Sequence, residues 1–244
     1  MFGRKFLIFI FFSTFLFGQK NVENQQLLWY GYYNKLQINQ NWVLNSEVQE
    51  RHFYQPLVQH QLVFRTNLDR RILDDINVSL GFVVFLQSPN DPESESTLMV
   101  PELRTDFGFN AKKKYKYFNA NQRFKVEARF FHQTENNELV GGYQFSNFRM
   151  RYQLGLDIPL IKKQDAEKLI LKIKDEVMFN FGKNIVKNVF DQNRIYIGLN
   201  YPMNKNLAFE AGYLNWFQQR PSGTDFYNRD IIRFSVFHTI NLKK

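Results

Sequence analysis

The amino-acid sequence predicts an all-β protein that folds as an up-and-down antiparallel transmembrane β-barrel of ten to twelve strands. Three observations support this fold class. Apolar and polar residues alternate through most of the chain, the alternating segments are long, and the polar rows carry charges of both signs. Because successive side chains of a strand point to opposite faces, such alternation is typical of a sheet with one apolar face.

Residues 1–18 have the three parts of a secretory signal peptide. Arg4 and Lys5 form a basic start, Phe6–Phe17 is an apolar block, and Gly18 is a small residue before the expected cleavage point. An uncleaved anchor is the alternative, although the block is shorter than the roughly 20 residues that a spanning helix needs. Cleavage leaves one barrel domain at residues 19–244 and lowers the formal net charge from +9 by the two basic residues, to +7.

Alternation is clearest in residues 76–87, where the even positions are apolar and most odd positions are polar or small. A helix would instead repeat apolar residues at i, i+3, i+4 and i+7. The same pattern predicts eleven strands, at residues 25–36, 41–53, 57–70, 75–88, 100–111, 121–132, 143–158, 169–181, 190–201, 207–219 and 229–242. Most are far longer than the usual strand of a soluble protein, which has about 5–6 residues.

The size of the barrel decides which face is inside. About eight strands already enclose an interior that side chains just fill, so a larger barrel is expected to hold water. The polar rows carry twelve basic and eight acidic residues, as expected for a wet lumen with ion pairs. Together with the export signal, this favours the outer membrane of a Gram-negative bacterium, with a secreted soluble barrel as the alternative.

The connections alternate between short and long, which fits the short periplasmic turns and longer external loops of bacterial barrels. The short set includes Gln37–Gln40, Arg70–Asp74 and Pro202–Asn206. The long set includes Ser88–Met99, His132–Gly142, Gly182–Val189 and Pro221–Asn228. Aromatic residues near strand ends are interpreted as girdles at the two membrane interfaces, among them Trp29, Tyr30, Trp42, Phe53, Tyr201 and Trp216.

The number of strands stays open. The loop alternation makes the first and last strands run in the same direction, so eleven strands would close with a parallel pair, whereas single-chain bacterial barrels have even counts. Either Gln19–Gln26 adds a short strand and the barrel has twelve, or residues 25–36 lie outside the wall and ten remain. We prefer twelve strands.

A series of short motifs in a defined order connects the sequence to a known family. The motifs are Pro101-Glu102-Leu103-Arg104, Arg123–Phe130, Phe148–Tyr152, Asp175-Glu176 with Phe179-Asn180, Phe190–Arg194 and Glu210–Tyr213. In their order and spacing, the chain resembles a family of Gram-negative outer-membrane barrels known as domain of unknown function 2490. The resemblance covers essentially all of residues 19–244, implies an outer-membrane barrel, and carries no established activity.

The same motifs place acids and arginines on the lumen side of neighbouring strands. The candidate lumen network consists of Glu102, Arg104, Arg123, Glu127, Arg129, Arg149, Arg151, Glu176 and Arg194. An unpaired charge in a partly desolvated lumen is costly, and arginine pairs well with carboxylates, so we interpret the network as salt bridges that brace the wall. The alternative is a constriction that favours anions, because the polar rows have a surplus of four basic residues.

Two histidines are candidates for the catalytic base of a lipid-facing hydrolase. His60 and His238 fall on apolar rows, where such an enzyme would need its base. No serine accompanies either one at a suitable spacing, because Ser235 lies on the opposite face from His238. We therefore expect both rings among aromatic side chains at a membrane interface.

The other two histidines lie near predicted external strand ends. His52 stands beside Glu50 and His132 stands close to Glu135. Each could be an acid/base or metal pair, and each could equally be an exposed polar residue of a loop. We name no catalytic residue, metal ligand or cofactor.

Composition narrows the remaining possibilities. The chain has no cysteine, which excludes disulfides, zinc–thiolate sites and a cysteine nucleophile. It has no apolar run for a membrane helix after residue 18, and no glycine-rich phosphate loop. Alternating charge signs and export argue against nucleic acid. The expected partners are outer-membrane lipid, the barrel-assembly machinery during insertion, and a small polar solute.

The predicted function is the passive passage or binding of small polar solutes, with anions favoured by the surplus of positive charge. A structural or surface-interaction barrel whose lumen is closed by its own salt bridges is the first alternative. An outer-membrane hydrolase is the second.

Overall fold

The computed structural model describes residues 21–163, 166–183, 185 and 189–242. The predicted signal peptide, residues 1–18, lies outside the described residues. The strands are β1 (Val22–Gln37), β2 (Trp42–Phe53), β3 (Gln59–Leu73), β4 (Ile76–Gln87), β5 (Val100–Lys114), β6 (Asn119–Glu135), β7 (Glu138–Lys163), β8 (Ala166–Phe181), β9 (Phe190–Pro202), β10 (Leu207–Gln219) and β11 (Phe226–Asn241).

These eleven strands form one closed barrel in sequence order. The all-β barrel prediction is confirmed, and each predicted strand overlaps one strand of the structure. Across the described ranges, no helix is long and apolar enough to cross a membrane.

Closure of the barrel corrects the predicted strand count. β1 pairs in parallel with β11, from Val22 beside Phe226 to Gln37 beside Asn241, while the ten other pairings are antiparallel. The preference for twelve strands is wrong, because residues 22–26 extend β1 and form no separate strand. The ten-strand alternative is also wrong, because β1 pairs with β2 as well as with β11. An odd number of strands joined by hairpins must begin and end in the same direction, so its seam is parallel.

The two ends of the barrel carry different connections. At one end, which we call the short-turn end, the chain reverses at residues 38–41, 74–75, 115–118 and 203–206. At the other, which we call the loop end, the connections include residues 54–58, 88–99 and 220–225. The predicted loop His132–Gly142 is wrong, because β6 and β7 continue to a two-residue turn at Asn136 and Asn137. Both asparagines have positive φ, 49° and 62°, which is the geometry of a type I′ hairpin turn.

The barrel is apolar outside and polar inside. On β4, the outward row includes Leu80, which is 64% exposed, whereas Ser79 on the inward row is buried. Large apolar side chains are exposed on the outward rows of the other strands too, including Phe64, Leu68, Phe107, Phe109, Ile195, Ile197, Leu199, Ile232 and Phe234. Buried charged residues such as Glu102 and Glu127 lie on the inward rows. This is the reverse of the arrangement in a soluble protein, where apolar side chains are mostly the buried ones.

Engineered cysteines will test the parallel seam, since the chain has no cysteine of its own. Asn24 on β1 and Asn228 on β11 are paired residues whose side chains hydrogen-bond at 3.0 Å. Neighbouring strands lie about 4.8 Å apart, which is within the span of a disulfide. We expect the double variant Asn24→Cys/Asn228→Cys to form a disulfide on oxidation, seen as faster migration of the denatured protein without reductant.

The matched control replaces Asn24 and Asn215 by cysteine. Asn215 also hydrogen-bonds Asn228, at 2.8 Å, but it lies on β10, one strand further from β1. Two strand spacings exceed the reach of a disulfide, so this control pair is expected to stay reduced. Equal cross-linking in both double variants, or none in the first, would contradict the parallel seam.

Candidate functional site

A continuous chain of ion pairs crosses the lumen face of four neighbouring strands. In order, its members are Arg129, Glu102, Arg104, Glu127, Arg151, Glu176 and Arg123. Glu102 and Arg104 come from β5, Arg151 from β7 and Glu176 from β8, and the other three come from β6. We call this set the ion-pair chain. It brings together seven of the nine residues that the sequence analysis placed in the lumen network.

The contacts of the ion-pair chain are short and mostly diagonal across the sheet. Glu102 accepts hydrogen bonds from Arg104 Nε and Arg129 Nε, both at 2.6 Å. Glu127 accepts from Arg151 Nη1 at 2.5 Å and lies 3.4 Å from Arg104 Nη1. Arg104 stands directly opposite Arg129 in the β5–β6 pairing, so each reaches past the other to an acid. Diagonal neighbours on one face of a sheet are within reach of long side chains.

Glu176 ends the chain of acids and holds two arginines. It receives three hydrogen bonds from Arg151, at 2.8 to 3.0 Å, and one from Arg123 Nη2 at 2.7 Å. The Nε of Arg123 is buried without a partner among the described residues. Removing one partner of a buried ion pair typically costs about 3–5 kcal/mol. Through Glu176, these contacts join β6, β7 and β8 on the lumen side.

The two remaining residues of the predicted network, Arg149 and Arg194, lie outside the ion-pair chain. Arg149 pairs with Asp191 at 3.0 Å, an acid that the sequence analysis did not include, and Asn180 bonds both. Arg194 has no carboxylate partner among the described residues. Its Nε donates to Gln192 at 3.2 Å, and its guanidinium lies 4.4 Å from the centre of the Trp216 ring.

A cluster of apolar and aromatic side chains fills the lumen on the opposite side of the barrel. Its members are Leu27, Trp29, Phe53, Tyr196, Leu214, Trp216 and Ile231, all buried. We call this cluster the aromatic plug. Trp29 and Trp216 meet edge to face, with ring centres 5.7 Å apart. The assignment of Trp29, Phe53 and Trp216 to membrane-interface girdles is therefore wrong, because they lie on inward rows with Arg51 and Glu210.

Arginines connect the aromatic plug to the ion-pair chain. The guanidinium of Arg51 lies 3.9 Å from the Trp29 ring centre and 5.7 Å from that of Phe85. The guanidinium of Arg104, a member of the ion-pair chain, lies 3.9 Å from the centre of the same Phe85 ring. Phe85 packs with Val63 and Val83 in a second buried cluster on β3 and β4. The aromatic plug, these arginines and the ion-pair chain thus form one packed layer across this half of the lumen.

The loop at residues 88–99 covers this layer from the loop end. The backbone carbonyl of Asn90 accepts a hydrogen bond from Gln25 at 2.9 Å, and its side chain accepts one from Arg229 at 3.0 Å. Arg229 is fully buried and also bonds Gln25 and Gln218. Arg229 was not among the predicted lumen residues, although it stands on the same alternating row of β11 as Ser235, opposite to the apolar Ile232 and Phe234.

Two adjacent cavities lie in the half of the lumen toward the short-turn end. The first, about 410 Å³, reaches residues close to the turns, such as Lys35, Asn77 and Asn110, and we call it the vestibule. The second, about 260 Å³, lies deeper, against Trp29, Arg194 and the ion-pair chain, and we call it the inner cavity. The two share lining residues, among them Tyr33, Glu47, Arg65 and Arg123. The two cavities therefore form a recess toward the short-turn end, bordered on its inner side by the packed layer.

The histidines on the apolar rows have different positions. His238 faces outward and its Nδ1 lies 2.8 Å from the Tyr32 hydroxyl, while Ser235 is buried on the inward row. His60 is fully buried inside the barrel against Phe53, so its predicted position on the outer surface is wrong. The cause is a shift in the β2–β3 pairing between Arg51 and His52, which breaks the alternation at the start of β3.

The histidines near the loop end form no common site. His52 Nε2 lies 3.0 Å from Glu50, and both side chains are partly exposed. His132 Nδ1 lies 3.0 Å from the backbone oxygen of Gln133, and the structure does not bring it to Glu135. In the part of the chain that the structure describes, no group of three or more acids or histidines could hold a metal ion.

A comparison with family models decides the relationship of the chain. The model described as "Protein of unknown function (DUF2490)" matches residues 26–228. The chain belongs to this family. The match to DUF2490 extends from β1 to the start of β11 and includes the whole ion-pair chain and all nine predicted network residues. No curated protein and no solved structure matches the chain.

Proposed function

We propose that this DUF2490 barrel is an integral outer-membrane protein that binds small polar solutes in a lumen closed at the loop end. One observation carries the proposal: the eleven-strand barrel exposes apolar side chains on its outer surface and encloses charged ones. Outer-membrane barrels have this arrangement, with an outward apolar band and a polar interior. The expected partners remain outer-membrane lipid and, during insertion, the barrel-assembly machinery.

The connections set the proposed orientation. Bacterial barrels have short turns in the periplasm and longer loops outside. The short-turn end would then face the periplasm, and the vestibule would open there. The loop end, with residues 88–99 folded over the lumen, would face the exterior.

The packed layer favours binding over passive passage. A solute that enters the vestibule meets the aromatic plug and the ion-pair chain, whose side chains are buried and joined to one another. A channel would need a continuous water path through this layer. The inner cavity instead offers an enclosed polar surface of limited volume, about 260 Å³, which suits a small ligand.

Charge substitutions on the outer surface test the membrane assignment. Leu80 is 64% exposed within the apolar row of β4, between the exposed neighbours Leu68 and Phe107. An arginine on the lipid face costs about 2–4 kcal/mol near the bilayer midplane. We expect Leu80→Arg to lower the stability of the folded barrel in lipid vesicles by about that much, measured by urea titration of the heat-modifiable band on gels.

The matched control is Leu57→Arg. Leu57 is 70% exposed but lies in the turn at residues 54–58, beyond the strands. The same substitution there is expected to change stability by less than about 1 kcal/mol. A wild-type protein that stays soluble and monomeric without detergent, or equal effects of the two arginines, would rule out the membrane proposal.

A further inference from the structure

We propose that the inner cavity is a binding site for a small oxyanion with two or more negative charges, such as a phosphate or a polycarboxylate. This inference rests on the proposed function, because the ligand reaches the site through the vestibule. Seven cationic side chains line the inner cavity and only two carboxylates, Glu47 and Glu176, do so. The surplus of charge within this small volume is therefore 7 − 2, or +5.

The two carboxylates are already occupied by other cations of the cavity. Glu47 pairs with Arg65, and Glu176 is held by Arg123 and Arg151. Both carboxylates of the lining are therefore already engaged in ion pairs.

Four lining cations have no carboxylate at ion-pair distance among the described residues: Arg51, Lys174, Arg194 and Arg233. Arg51 and Arg194 donate to glutamine side chains, and Arg233 donates to the hydroxyl groups of Tyr33 and Ser235. Lys174 lies 5.1 Å from the centre of the Tyr196 ring. The nearby acid Glu210 is bound by Tyr196 and Asn200.

A fifth donor is available at the same place. The Nε of Arg123 is buried without a partner among the described residues, although its Nη2 bonds Glu176. Burying a polar group without a hydrogen bond is costly, and burying an uncompensated charge costs more. A ligand that accepts hydrogen bonds and carries negative charge would remove both costs at once.

These donors select the chemical class of the ligand. Guanidinium groups present planar, bidentate donors that match the oxygens of phosphate and carboxylate, and lysine adds a point charge. A chloride ion has no oxygens, whereas an oxyanion presents several oxygens, each of which can accept from a different arginine. The volume of about 260 Å³ admits a ligand of the size of phosphate or citrate.

Direct binding to the folded, detergent-solubilised protein tests the inference. Inorganic phosphate, citrate and glucose are titrated by calorimetry at constant ionic strength set with chloride. Tryptophan emission provides a second signal, because Arg51 and Arg194 lie over Trp29 and Trp216, two of the three tryptophans of the chain. We expect saturable binding of phosphate and citrate but not glucose, and the tighter of the two anions identifies the oxyanion type.

Lys174 offers the cleanest variant, because no hydrogen bond or ion pair of its ammonium group occurs among the described residues. Lys174→Gln is expected to weaken anion binding at least about tenfold, and Lys174→Arg is expected to restore it. Lys172→Gln is the matched control on the same strand and face, since Lys172 is already paired with Asp157 at 3.2 Å. It should change binding by less than about twofold.

The outcomes separate this inference from the proposed function. Absence of saturable anion binding to folded wild-type protein, or equal losses in Lys174→Gln and Lys172→Gln, would overturn the oxyanion site. Binding of glucose without either anion would also overturn it and would leave the proposed solute-binding barrel standing. Failure of the membrane assignment is read independently, from the Leu80→Arg and Leu57→Arg pair.

Discussion

The Glu127→Gln variant is expected to unfold about 6–12 °C below the wild-type protein. Glu127 is fully buried and holds Arg104 and Arg151, the two central arginines of the ion-pair chain. Glutamine keeps the shape of the side chain but removes its charge, so both arginines lose part of their compensation. Breaking a buried ion pair costs about 3 kcal/mol or more, and each kcal/mol shifts the melting temperature of a chain this long by about 2–4 °C.

The measurement is the temperature at which the folded band disappears on gels of detergent-solubilised protein. Glu95→Gln is the matched control, because Glu95 is exposed in the loop at residues 88–99 and no ion pair of it occurs among the described residues. That control is expected to melt within about 1–2 °C of wild type. Equal melting temperatures for Glu127→Gln and wild type would show that the ion-pair chain does not brace the wall.

The second large effect is the appearance of an ion current when the aromatic plug is removed. Wild-type protein is expected to give no steady conductance in a planar lipid bilayer, because the packed layer closes the lumen. The double variant Trp29→Ala/Trp216→Ala removes the two rings at the centre of the plug, where they meet edge to face at 5.7 Å. Their loss joins the inner cavity to the loop end, so we expect discrete conductance steps.

Trp42→Ala is the matched control for this experiment. Trp42 is the third tryptophan of the chain and lies at the short-turn end of β2, outside the plug. Because large-to-small core substitutions typically cost about 3–5 kcal/mol, folding is checked first, and Trp29→Ala alone serves if the double variant does not fold. A conducting wild-type protein would refute the closed lumen. A folded double variant without current would refute the plug as the barrier.

Local patterns in the sequence predicted most of the fold. Alternation located all eleven strands, and it placed residues such as Glu102, Arg104 and Glu127 on the inward face, where they are buried. Strand geometry explains this success, since the side-chain period of two depends only on neighbouring residues. Where the pairing shifts, between Arg51 and His52, the same rule failed for His60.

The positions of the two tryptophans of the aromatic plug could have been predicted from their parity along the strands. Trp29 has the same parity as Leu27 and Tyr33, opposite to the exposed Tyr30 and Tyr32. Trp216 likewise shares its row with Glu210, which lines the lumen. Both tryptophans were instead assigned to girdles because aromatic residues are common at membrane interfaces. Their parity alone places both rings inside the barrel.

The sequence by itself determined that this chain forms long strands with one charged and one apolar face, because both properties depend on residues close together in the chain. Only the tertiary structure decided which acid each arginine bonds, how β1 meets β11, and that the lumen is filled at one end. Those features join residues up to about two hundred positions apart, as Asn24 and Asn228 are. Their geometry follows from strand register and closure of the whole barrel, which no local pattern specifies.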